Sequence, residues 1–341
     1  MHVTKHADAV PYNAPFHAGV DTRRLQGMEI GPTEGFWLGL SVYPSGSSAG
    51  PSEVMGESIY LVVSGEFVLR CNGETVTLRQ FDSVHLAKGD HRELVNESGA
   101  DAVYEAYLAG ASVAHLHLRD EEQRPTADLD IARRTMDLIE ERCPIHIQLS
   151  TGVGLSVEFE DREKMVELRP RMATLNPCSM SFGKGEFRNP PDGVRRLAAR
   201  MRELDIKPEL EVYDTGHLDA VMCLFDEGLL AEPMQFSIVL GVAGGASATP
   251  QNLVMMVERL PKDCIWQIIA IGKANLQLTA IGLALGGNAR AGLEDTLYLR
   301  KGEIARGNTP LVQRTADLAR SMDLSIASVE ETEQILSLPA R

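Results

Sequence analysis

The sequence has little of three features that would direct it to particular partners: basic charge, regularly spaced cysteines and long apolar runs. Lysine and arginine together number 33, against 48 aspartate and glutamate residues, and the formal net charge is −15. This balance argues against nucleic acid and anionic membrane surfaces as partners, because both select basic patches. No apolar run reaches 18 residues and the N-terminus has no signal-peptide core, so we expect neither a membrane span nor a secretory signal.

The cysteine content points to a reducing compartment. The five cysteines are odd in number, and none of them forms a C-x-x-C pair. We therefore expect reduced thiols in a cytoplasmic protein. A chain of 341 residues is about twice the usual domain size. Two domains, or one barrel with an appendage, are thus expected, and the hydrophobic content of 44% is enough for a large core.

Residues 1–100 have the pattern of an all-β domain. Short apolar runs such as Ile59–Val63 and Glu66–Arg70 are separated by turn residues. Asn72-Gly73 is a hairpin dipeptide, because both residues tolerate the positive φ that a two-residue turn requires. The first domain is therefore predicted to consist of antiparallel sheets.

Residues 101–341 alternate between strands and amphipathic helices. This alternation is typical of a parallel sheet, and seven or eight repeats favour a (β/α)8 TIM-type barrel. The pattern predicts seven clear strands: Val113–Leu118, Ile145–Ser150, Met172–Asn176, Glu209–Asp214, Gln235–Leu240, Ile265–Ile271 and a short one at Asn288–Leu293. Helices are predicted between them at Ala127–Arg142, Gly193–Leu204, His217–Leu229, Pro250–Leu260 and Leu276–Leu285.

Two histidines end the first of these strands. Side chains alternate along a strand, so His115 and His117 point to the same face. Two imidazoles on one face form half of a metal site, and the segment Gly287–Asp295 is a candidate source of the third ligand. An isolated H-x-H pair is equally compatible with a packed structural feature.

Other polar residues follow the remaining strands. The carboxyl ends of barrel strands meet at one face, which is where barrel enzymes hold their active sites. The residues expected to converge there are His115, His117, Ser150, Thr174, Asn176, Glu209, Glu211, Arg290, Glu294 and Asp295. Structural alternatives remain open, since Ser150-Thr151-Gly152 could be a simple turn, Arg290 and Asp295 a structural ion pair, and Glu211 a strand residue without a ligand.

Six segments within this second half resemble the β-keto acid cleavage enzymes, which include 3-keto-5-aminohexanoate cleavage enzyme. The resemblance runs in order from about residue 102 to the C-terminus. One difference is Asn288, where the family often has histidine. The segments are GASVAHLHLRD, QLSTGVG, ATLNPCSMSFG, KPELEVYDTGHLDA, VLGVAGGASATPQNL and GGNARAGLEDTLYL.

The resemblance implies a function and a set of site residues. A divalent metal, usually zinc, would be held by His115, His117 and Glu294, with a coordination position left open as in catalytic sites. Arg290 and Asp295 would be the catalytic charged pair that guides proton removal and stabilises oxyanions. The substrate would be bound by Ser150, Thr174, Asn176 and Glu211.

The resemblance also implies the reaction and the assembly. A β-keto acid and the co-substrate acetyl-CoA would give acetoacetate and a new acyl-CoA. A homo-oligomer is expected as well, with contacts from the helical region Thr309–Leu336. Two other functions stay open: a metal aldolase or lyase that does not use CoA, and a metabolite sensor without turnover.

The first half resembles a cupin, a small double-sheet β-barrel, over roughly residues 35–105. The matching segments are Tyr60–Glu66 and Ala87–His91. The cupin H-x-H is absent before Tyr60, so His85 and His91 are interpreted as loop or strand residues rather than metal ligands. The cupin-like segment also occupies the position of the family barrel's first strand. Either Glu66–Cys71 doubles as that strand or the barrel lacks it, which would leave unpaired strand edges.

Overall fold

The structure is a computed structural model. It describes residues 2–18, 20–31, 35–43, 47–63, 65–96, 98–120, 122, 124–305 and 307–340. The chain forms two compact units, unit 1 (Met1–Asp101) and unit 2 (Ala102–Arg341). All five cysteines are free. None of the helices in the described ranges is long and apolar enough to cross a membrane.

Unit 1 is built from antiparallel sheets. Its strands are β1 (Val10–Pro11), β2 (His17–Ala18), β3 (Asp21–Gln26), β4 (Leu38–Val42), β5 (Ser48–Glu53), β6 (Ser58–Leu61), β7 (Glu66–Cys71), β8 (Glu74–Arg79), β9 (Ser83–Leu86) and β10 (His91–Val95). A five-stranded sheet has the order β2-β5-β10-β7-β8, β1-β3-β4 form a second sheet, and β6 pairs with β9. The five-stranded sheet and the β6–β9 pair share one apolar core, which includes Leu69, Leu86 and Leu94. This all-β architecture of antiparallel sheets is the one predicted.

Local sequence explains the tightest turn of unit 1. Asn72 and Gly73 join β7 to β8 with φ values of 49° and 87°. Both lie in the left-handed region that the Asn-Gly dipeptide tolerates, so the predicted hairpin is confirmed. His85 lies in β9 and His91 in β10, and both are exposed strand residues.

Unit 2 alternates strands with helices. In chain order the elements are α1 (Ser98–Leu108, which starts before the unit boundary), β11 (Val113–Leu116), α2 (Leu129–Glu140), β12 (His146–Leu149), α3 (Phe159–Arg162), β13 (Met172–Leu175), β14 (Met180–Phe182), β15 (Gly185–Phe187), α4 (Pro191–Glu203), β16 (Lys207–Val212), α5 (Thr215–Asp226), β17 (Gln235–Leu240), α6 (Pro250–Glu258), β18 (Ile265–Ala270), α7 (Asn275–Ala284), β19 (Asn288–Ala289), β20 (Tyr298–Arg300), β21 (Glu303–Ile304), α8 (Thr309–Ser321) and α9 (Val329–Leu336).

The central sheet of unit 2 is parallel and covered by helices. Its order is β11-β12-β13-β16-β17-β18-β19. Every residue of β12, β13 and β17 is buried. The largest apolar cluster packs the sheet against helices α4 to α7, with Leu210 and Phe236 among its buried members. The other strand positions, such as Gln148 and Glu209, point to the opposite face of the sheet. Their side chains line a cavity there.

Helix starts in unit 2 follow from capping residues. Asp128 accepts hydrogen bonds from two backbone N–H groups at the start of α2, and Asp214 does the same for α5. Ser328 and Glu331 form a reciprocal capping box at the start of α9. These caps satisfy donors that a helix leaves free at its N-terminus, so they define where each helix begins.

The barrel has seven strands and its first strand is missing from the described residues. β11 and β19 are the two edges of the sheet and are not hydrogen-bonded to each other. Glu66–Cys71 forms β7 in the five-stranded sheet of unit 1. The alternative in which that segment doubles as the barrel's first strand is therefore wrong. The fold is a (β/α) TIM-type barrel with an atypical opening, joined to an all-β unit.

The last barrel strand is shorter than predicted. The sequence indicates a strand over Asn288–Leu293, but β19 comprises only Asn288–Ala289. The chain turns beyond it, because the Asp295 N–H donates to Gly292 O at 3.2 Å and the Leu293 N–H donates to Asn308 Oδ1 at 2.9 Å.

Candidate metal centre and active site

His115, His117 and Glu294 come together at the carboxyl end of the sheet. His115 lies in β11, His117 follows it, and Glu294 belongs to the turn after β19. The two imidazole Nε2 atoms are 3.0 Å apart. Glu294 Oε1 lies 3.3 Å from His117 Nε2, and Glu294 Oε2 lies 3.7 Å from His115 Nε2. One ligand atom from each of the three residues falls within 4.8 Å of the others.

A buried glutamine orients the His115 ring. His115 Nδ1 lies 2.6 Å from Gln148 Oε1, which can only accept, so the ring carries its proton on Nδ1 and presents a lone pair on Nε2. Burial, and to a lesser extent Arg290, lower the pKa of His115 to about 3. The neutral, correctly oriented imidazole is the form that binds a metal.

An arginine ties Glu294 to Asp295. Arg290 Nη2 donates to Asp295 Oδ1 at 2.5 Å and to Glu294 Oε1 at 3.0 Å, and Arg290 Nε donates to Asp295 Oδ2 at 3.2 Å. Burial opposes ionisation of Glu294, but the hydrogen bond with His117 and the charge of Arg290 hold its pKa well below the usual range. Arg290 Nη1 is buried without a hydrogen-bond partner.

Backbone contacts hold this turn in place. Besides the Asn308 contact to Leu293, the Gly272 N–H donates to Asp295 O at 2.7 Å. Burial raises the pKa of Asp295, although Arg290 opposes that rise. Asp295 is 2% exposed and both its oxygens face Arg290, so it orients the guanidinium.

Hydrogen bonds to Thr174 hold the segment that follows β12. The Thr151 N–H donates to Thr174 Oγ1 at 2.9 Å, and the Thr151 hydroxyl donates to Thr174 O at 2.8 Å. Ser150 Oγ accepts from the Gly152 N–H at 3.1 Å and remains able to donate its own proton. Thr174 is fully buried and its hydroxyl already serves Thr151. Asn176 differs, because it is 3% exposed and, among the residues that the structure describes, neither of its side-chain amide atoms has a hydrogen-bond partner.

A second polar network lies deeper in the barrel. Glu209 Oε1 accepts from Ser237 Oγ and from Gln267 Nε2. Glu211 lies two residues beyond Glu209 in β16. It accepts a hydrogen bond from the Tyr213 hydroxyl at 3.4 Å, and its Oε1 lies 4.0 Å from Arg290 Nη1. Burial, followed by the charge of Glu209, raises the pKa of Glu211 to about 7.

One cavity of unit 2 connects most of these groups. Its volume is about 1310 Å³, and its walls include His115, His117, Ser150, Glu211 and Arg290. Glu294, Asp295 and Glu209 also border it, whereas Thr174 and Asn176 border the Ser150 segment. The site residues predicted from sequence therefore lie at one end of the sheet. Sequence reasoning missed Gln148, Ser237 and Gln267; the one available signal was that each is a polar residue within an otherwise mostly apolar strand.

The fold and site together define a (β/α) barrel with a His-His-Glu donor set beside a buried Arg-Asp pair. The family model of the beta-keto acid cleavage enzymes matches residues 94–338. The chain belongs to the beta-keto acid cleavage enzyme family.

The similar proteins match different shares of this chain. The 3-keto-5-aminohexanoate cleavage enzyme of Fusobacterium nucleatum is 38% identical over 235 residues, which are 68% of this chain and 86% of that protein. The 3-oxoadipate:acetyl-CoA acetyltransferase of Cupriavidus necator is 33% identical, covering 69% of this chain and 84% of that protein. The beta-D-galactosidase Rv1717 of Mycobacterium tuberculosis is 45% identical over 103 residues, which are 30% of this chain and 89% of that protein.

A solved structure shares the fold. It is described as the ternary complex of ObcA with a C4-CoA adduct and oxalate, and it is similar with a TM-score of 0.63 at 20% identity. The similarity covers 74% of this chain and 71% of that one.

Proposed function

We propose that the protein exchanges acyl groups between a β-keto acid and acetyl-CoA, giving acetoacetate and a new acyl-CoA, with a divalent metal as cofactor. The bond between the α-carbon and the keto carbon of the acid breaks. A bond between that α-carbon and the acetyl carbonyl carbon forms while the C–S bond of acetyl-CoA breaks, and the released acyl group joins the CoA sulfur that this cleavage frees. Membership of the family and a relative named as an acetyl-CoA-dependent transferase support this reaction class.

The single observation that carries the proposal is the cluster of His115, His117 and Glu294. Two imidazoles and one carboxylate are a donor set of catalytic zinc sites, and three protein ligands leave a position for substrate. Gln148 supports the fit, because it holds His115 in the tautomer that a metal needs. A bound Zn²⁺ would act as a Lewis acid that polarises the substrate's oxygens and acidifies its α-carbon.

The protein's own residues would orient the acid. Asn176 offers a donor and an acceptor that are buried and unpartnered, and Ser150 offers a hydroxyl proton. Buried polar groups without partners are costly, so a ligand that satisfies Asn176 gains binding energy. These two residues are suited to the carboxylate and keto oxygens of a β-keto acid.

Arg290 would stabilise negative charge as the acyl group is exchanged. Asp295 holds the guanidinium by two hydrogen bonds, and Nη1 is the free donor. A donor that is oriented before reaction stabilises a developing oxyanion without reorganisation. We propose that the charged pair of Arg290 and Asp295 guides proton removal from the α-carbon through its charge rather than by accepting the proton, with Thr174 as the residue that holds the Ser150 segment.

The test uses the full chain loaded with Zn²⁺, a panel of β-keto acids and acetyl-CoA. Acetoacetate and the new CoA thioester are measured together for the wild type, Glu294→Gln, and Glu258→Gln as an exposed control on α6. We expect both products in equal amounts from the wild type and the control, and a loss of at least about 100-fold in Glu294→Gln. Cleavage without acetyl-CoA would identify a lyase instead. Keto acid binding without any product would identify a sensor.

A second candidate function concerns unit 1. The match to a protein named beta-D-galactosidase has 103 residues, about the size of unit 1, and we infer that it lies there. Unit 1 would then bind or hydrolyse a β-galactoside. The measurement is release of nitrophenol from nitrophenyl β-D-galactoside by the full chain, and absence of hydrolysis and of binding contradicts this candidate.

A further inference from the structure

The gap between β11 and β19 leaves the barrel sheet open on one side. In the described part of the chain these two strands are the edges of the sheet and are not hydrogen-bonded to each other. Every residue of β12, β13 and β17 is buried, whereas only Ala114 is buried among the four residues of β11. A closed barrel has no such edges. The partial exposure of β11 therefore follows from its position beside an open gap.

The cavity that holds the metal-ligand cluster reaches this gap. Its walls include Val113 and His115 of β11, Asn288 of β19 and Arg290 after it. They also include residues of α1, of α8 and of the segments that follow these helices, namely Ala106, Gly110, Val312, Ala316, Ala319 and Ile326. We call the part of the cavity that these six residues border the side chamber. It is continuous with the metal-ligand cluster, because one cavity contacts both.

Helices α1 and α8 lie against each other beside the gap. Thr309 Oγ1, at the start of α8, donates to Glu105 Oε2 of α1 at 3.1 Å. Further along, a methyl group on Gly110 would lie 3.4 Å from Ile326 Cγ2 and 3.9 Å from Ala316 Cβ. The two helices therefore enclose the side chamber. Four of the six residues that define it are alanine or glycine, so they leave room between the helices and the sheet.

The side chamber is apolar. None of the six residues that define it has a charged or polar side chain. The charged groups that border the cavity, such as Glu211, Arg290 and Glu294, belong to the barrel interior or to the end with the metal-ligand cluster. Transfer of an aliphatic tail from water to apolar walls is favourable, whereas a charge buried there would have no partner. The whole cavity, at about 1310 Å³, also exceeds most small-molecule sites, so an acid of four carbon atoms would leave the side chamber unfilled.

We propose that the substrate is a β-keto acid with an unbranched, uncharged aliphatic tail beyond its keto carbon, and that the side chamber binds this tail. This assignment rests on the proposed function, which supplies the β-keto acid head and its place beside Asn176 and Ser150. The tail runs from the metal-ligand cluster along the open edge of β11, between the sheet and helices α1 and α8. The distance from Val113 to Leu116 along this strand is about 10 Å, so a tail of several carbon atoms fits.

Binding of stable analogues tests the dependence on tail length. The analogues are 3-hydroxybutanoate, 3-hydroxyhexanoate, 3-hydroxyoctanoate and 3-hydroxydecanoate, which have no keto group and so bind without being cleaved. Each is titrated by calorimetry into the full chain loaded with Zn²⁺, in the absence of acetyl-CoA. We expect the Kd to fall by about fourfold for each added methylene group, which is the effect of burying it. The diacid 3-hydroxyhexanedioate should bind more weakly than 3-hydroxyhexanoate, because the side chamber offers its second carboxylate no cation.

Filling the side chamber should remove the preference for a long tail. In Ala316→Phe and in Ala106→Phe the added ring occupies the space of the tail. The ratio of the affinity for 3-hydroxydecanoate to that for 3-hydroxybutanoate should therefore fall by about tenfold or more. Ala231→Phe, at an exposed alanine that does not border the cavity, is the matched control and should keep the wild-type ratio. If one chamber variant melts earlier than the wild type, the wild-type series and the other variant decide.

The outcomes separate this proposal from the acyl-exchange reaction. Equal affinity for all four acids, no binding of the longer ones, or tighter binding of the diacid would overturn the aliphatic substrate, even if a short β-keto acid gives acetoacetate. An affinity that increases with tail length, with no acetoacetate formed from the matching keto acids and acetyl-CoA, would keep the side chamber as a binding site and refute the reaction. An unchanged affinity ratio in both chamber variants would show that the tail binds elsewhere and would refute the role of the side chamber.

Discussion

His115 Nε2 and Glu294 Oε2 lie 3.7 Å apart, yet they come from opposite edges of the barrel sheet. His115 is in β11 and Glu294 follows β19, and these two strands share no backbone hydrogen bonds. In a closed barrel such edges would be joined by an intervening strand. Here the side-chain cluster is the connection at the carboxyl end, so a metal bound to it would fasten the two edges.

Metal binding should therefore raise stability as well as activity. Zn²⁺ at 100 times its Kd stabilises the folded state by about 2.7 kcal/mol. For a domain of this size that corresponds to a Tm increase of about 5–10 °C. Differential scanning calorimetry with Zn²⁺ and then with a chelator measures it. Glu294→Gln should lose most of the increase and Glu258→Gln should keep it. An equal increase in all three proteins would mean that zinc binds elsewhere.

Substrate affinity should depend on the protonation of Glu211. Its pKa is about 7 because burial and Glu209 disfavour its charge. Below pH 7 the group is neutral, and above pH 7 it adds a negative charge to a cavity that must accept an anionic acid. We expect KM for the β-keto acid to rise as pH increases from 6 to 9.

The variant Glu211→Gln isolates this effect, since glutamine resembles the neutral acid at every pH. Its KM should stay nearly flat across the same range. Steady-state kinetics at five pH values measure both proteins. If KM rises equally with pH in the wild type and in Glu211→Gln, another group causes the pH dependence.

Folding stability should fall below about pH 6.5 through His146. Its Nε2 lies 2.9 Å from Val329 O at the start of α9, and its Nδ1 lies 3.2 Å from Arg171 Nη1, so the neutral ring satisfies both contacts. Burial is the main cause that lowers the pKa of His146 from 6.5. The charge of Arg171 lowers this pKa as well, while the hydrogen bond to Val329 O opposes the shift. A histidine with a lowered folded-state pKa binds fewer protons when folded, so its stabilisation is complete above pH 6.5 and declines as pH falls.

Urea denaturation at pH 7.5 and pH 5.5 tests this sign. His146→Gln keeps a donor for Val329 O and cannot be protonated, so its loss of stability between the two pH values should be smaller than that of the wild type. His6→Gln, at an exposed position, should match the wild type. A larger pH dependence in His146→Gln would contradict the assignment.

Arg162 should position the Ser150 segment. It is 2% exposed, lies between the rings of Phe159 and Phe187, and donates from Nη1 to Thr151 O at 3.1 Å. Arg162→Met leaves buried acceptors without a partner, which we expect to cost about 2–4 kcal/mol of unfolding free energy. KM should rise more than kcat falls, because the substrate-orienting segment loosens while Arg290 is unchanged.

Denaturant titration and steady-state kinetics measure these effects, with Arg188→Met as the exposed control. If Arg162→Met loses this unfolding free energy but keeps an unchanged KM, the role of Arg162 is only structural.

Much of the fold follows from local pattern. Alternation placed His115 and His117 on one face, and the six strands predicted between Val113 and Ile271 agree with the structure within two residues at each end. The short hairpin of β14 and β15 was not predicted. The Asn72-Gly73 hairpin followed from two residues that tolerate positive φ. These features depend on neighbours in sequence, so a single chain is enough to derive them.

The sequence by itself determined the barrel class and predicted which residues form the candidate metal site, because periodicity and residue chemistry are local properties. Tertiary structure alone decided that Gln148 orients His115, that Asp295 holds Arg290 and that β19 ends at Ala289. The first of these depends on the register between β11 and β12, in which His115 lies opposite Gln148, and the other two depend on the turn after β19 and its contacts with Asn308 and Gly272. A register is set by the packing of the whole sheet, which no single segment encodes.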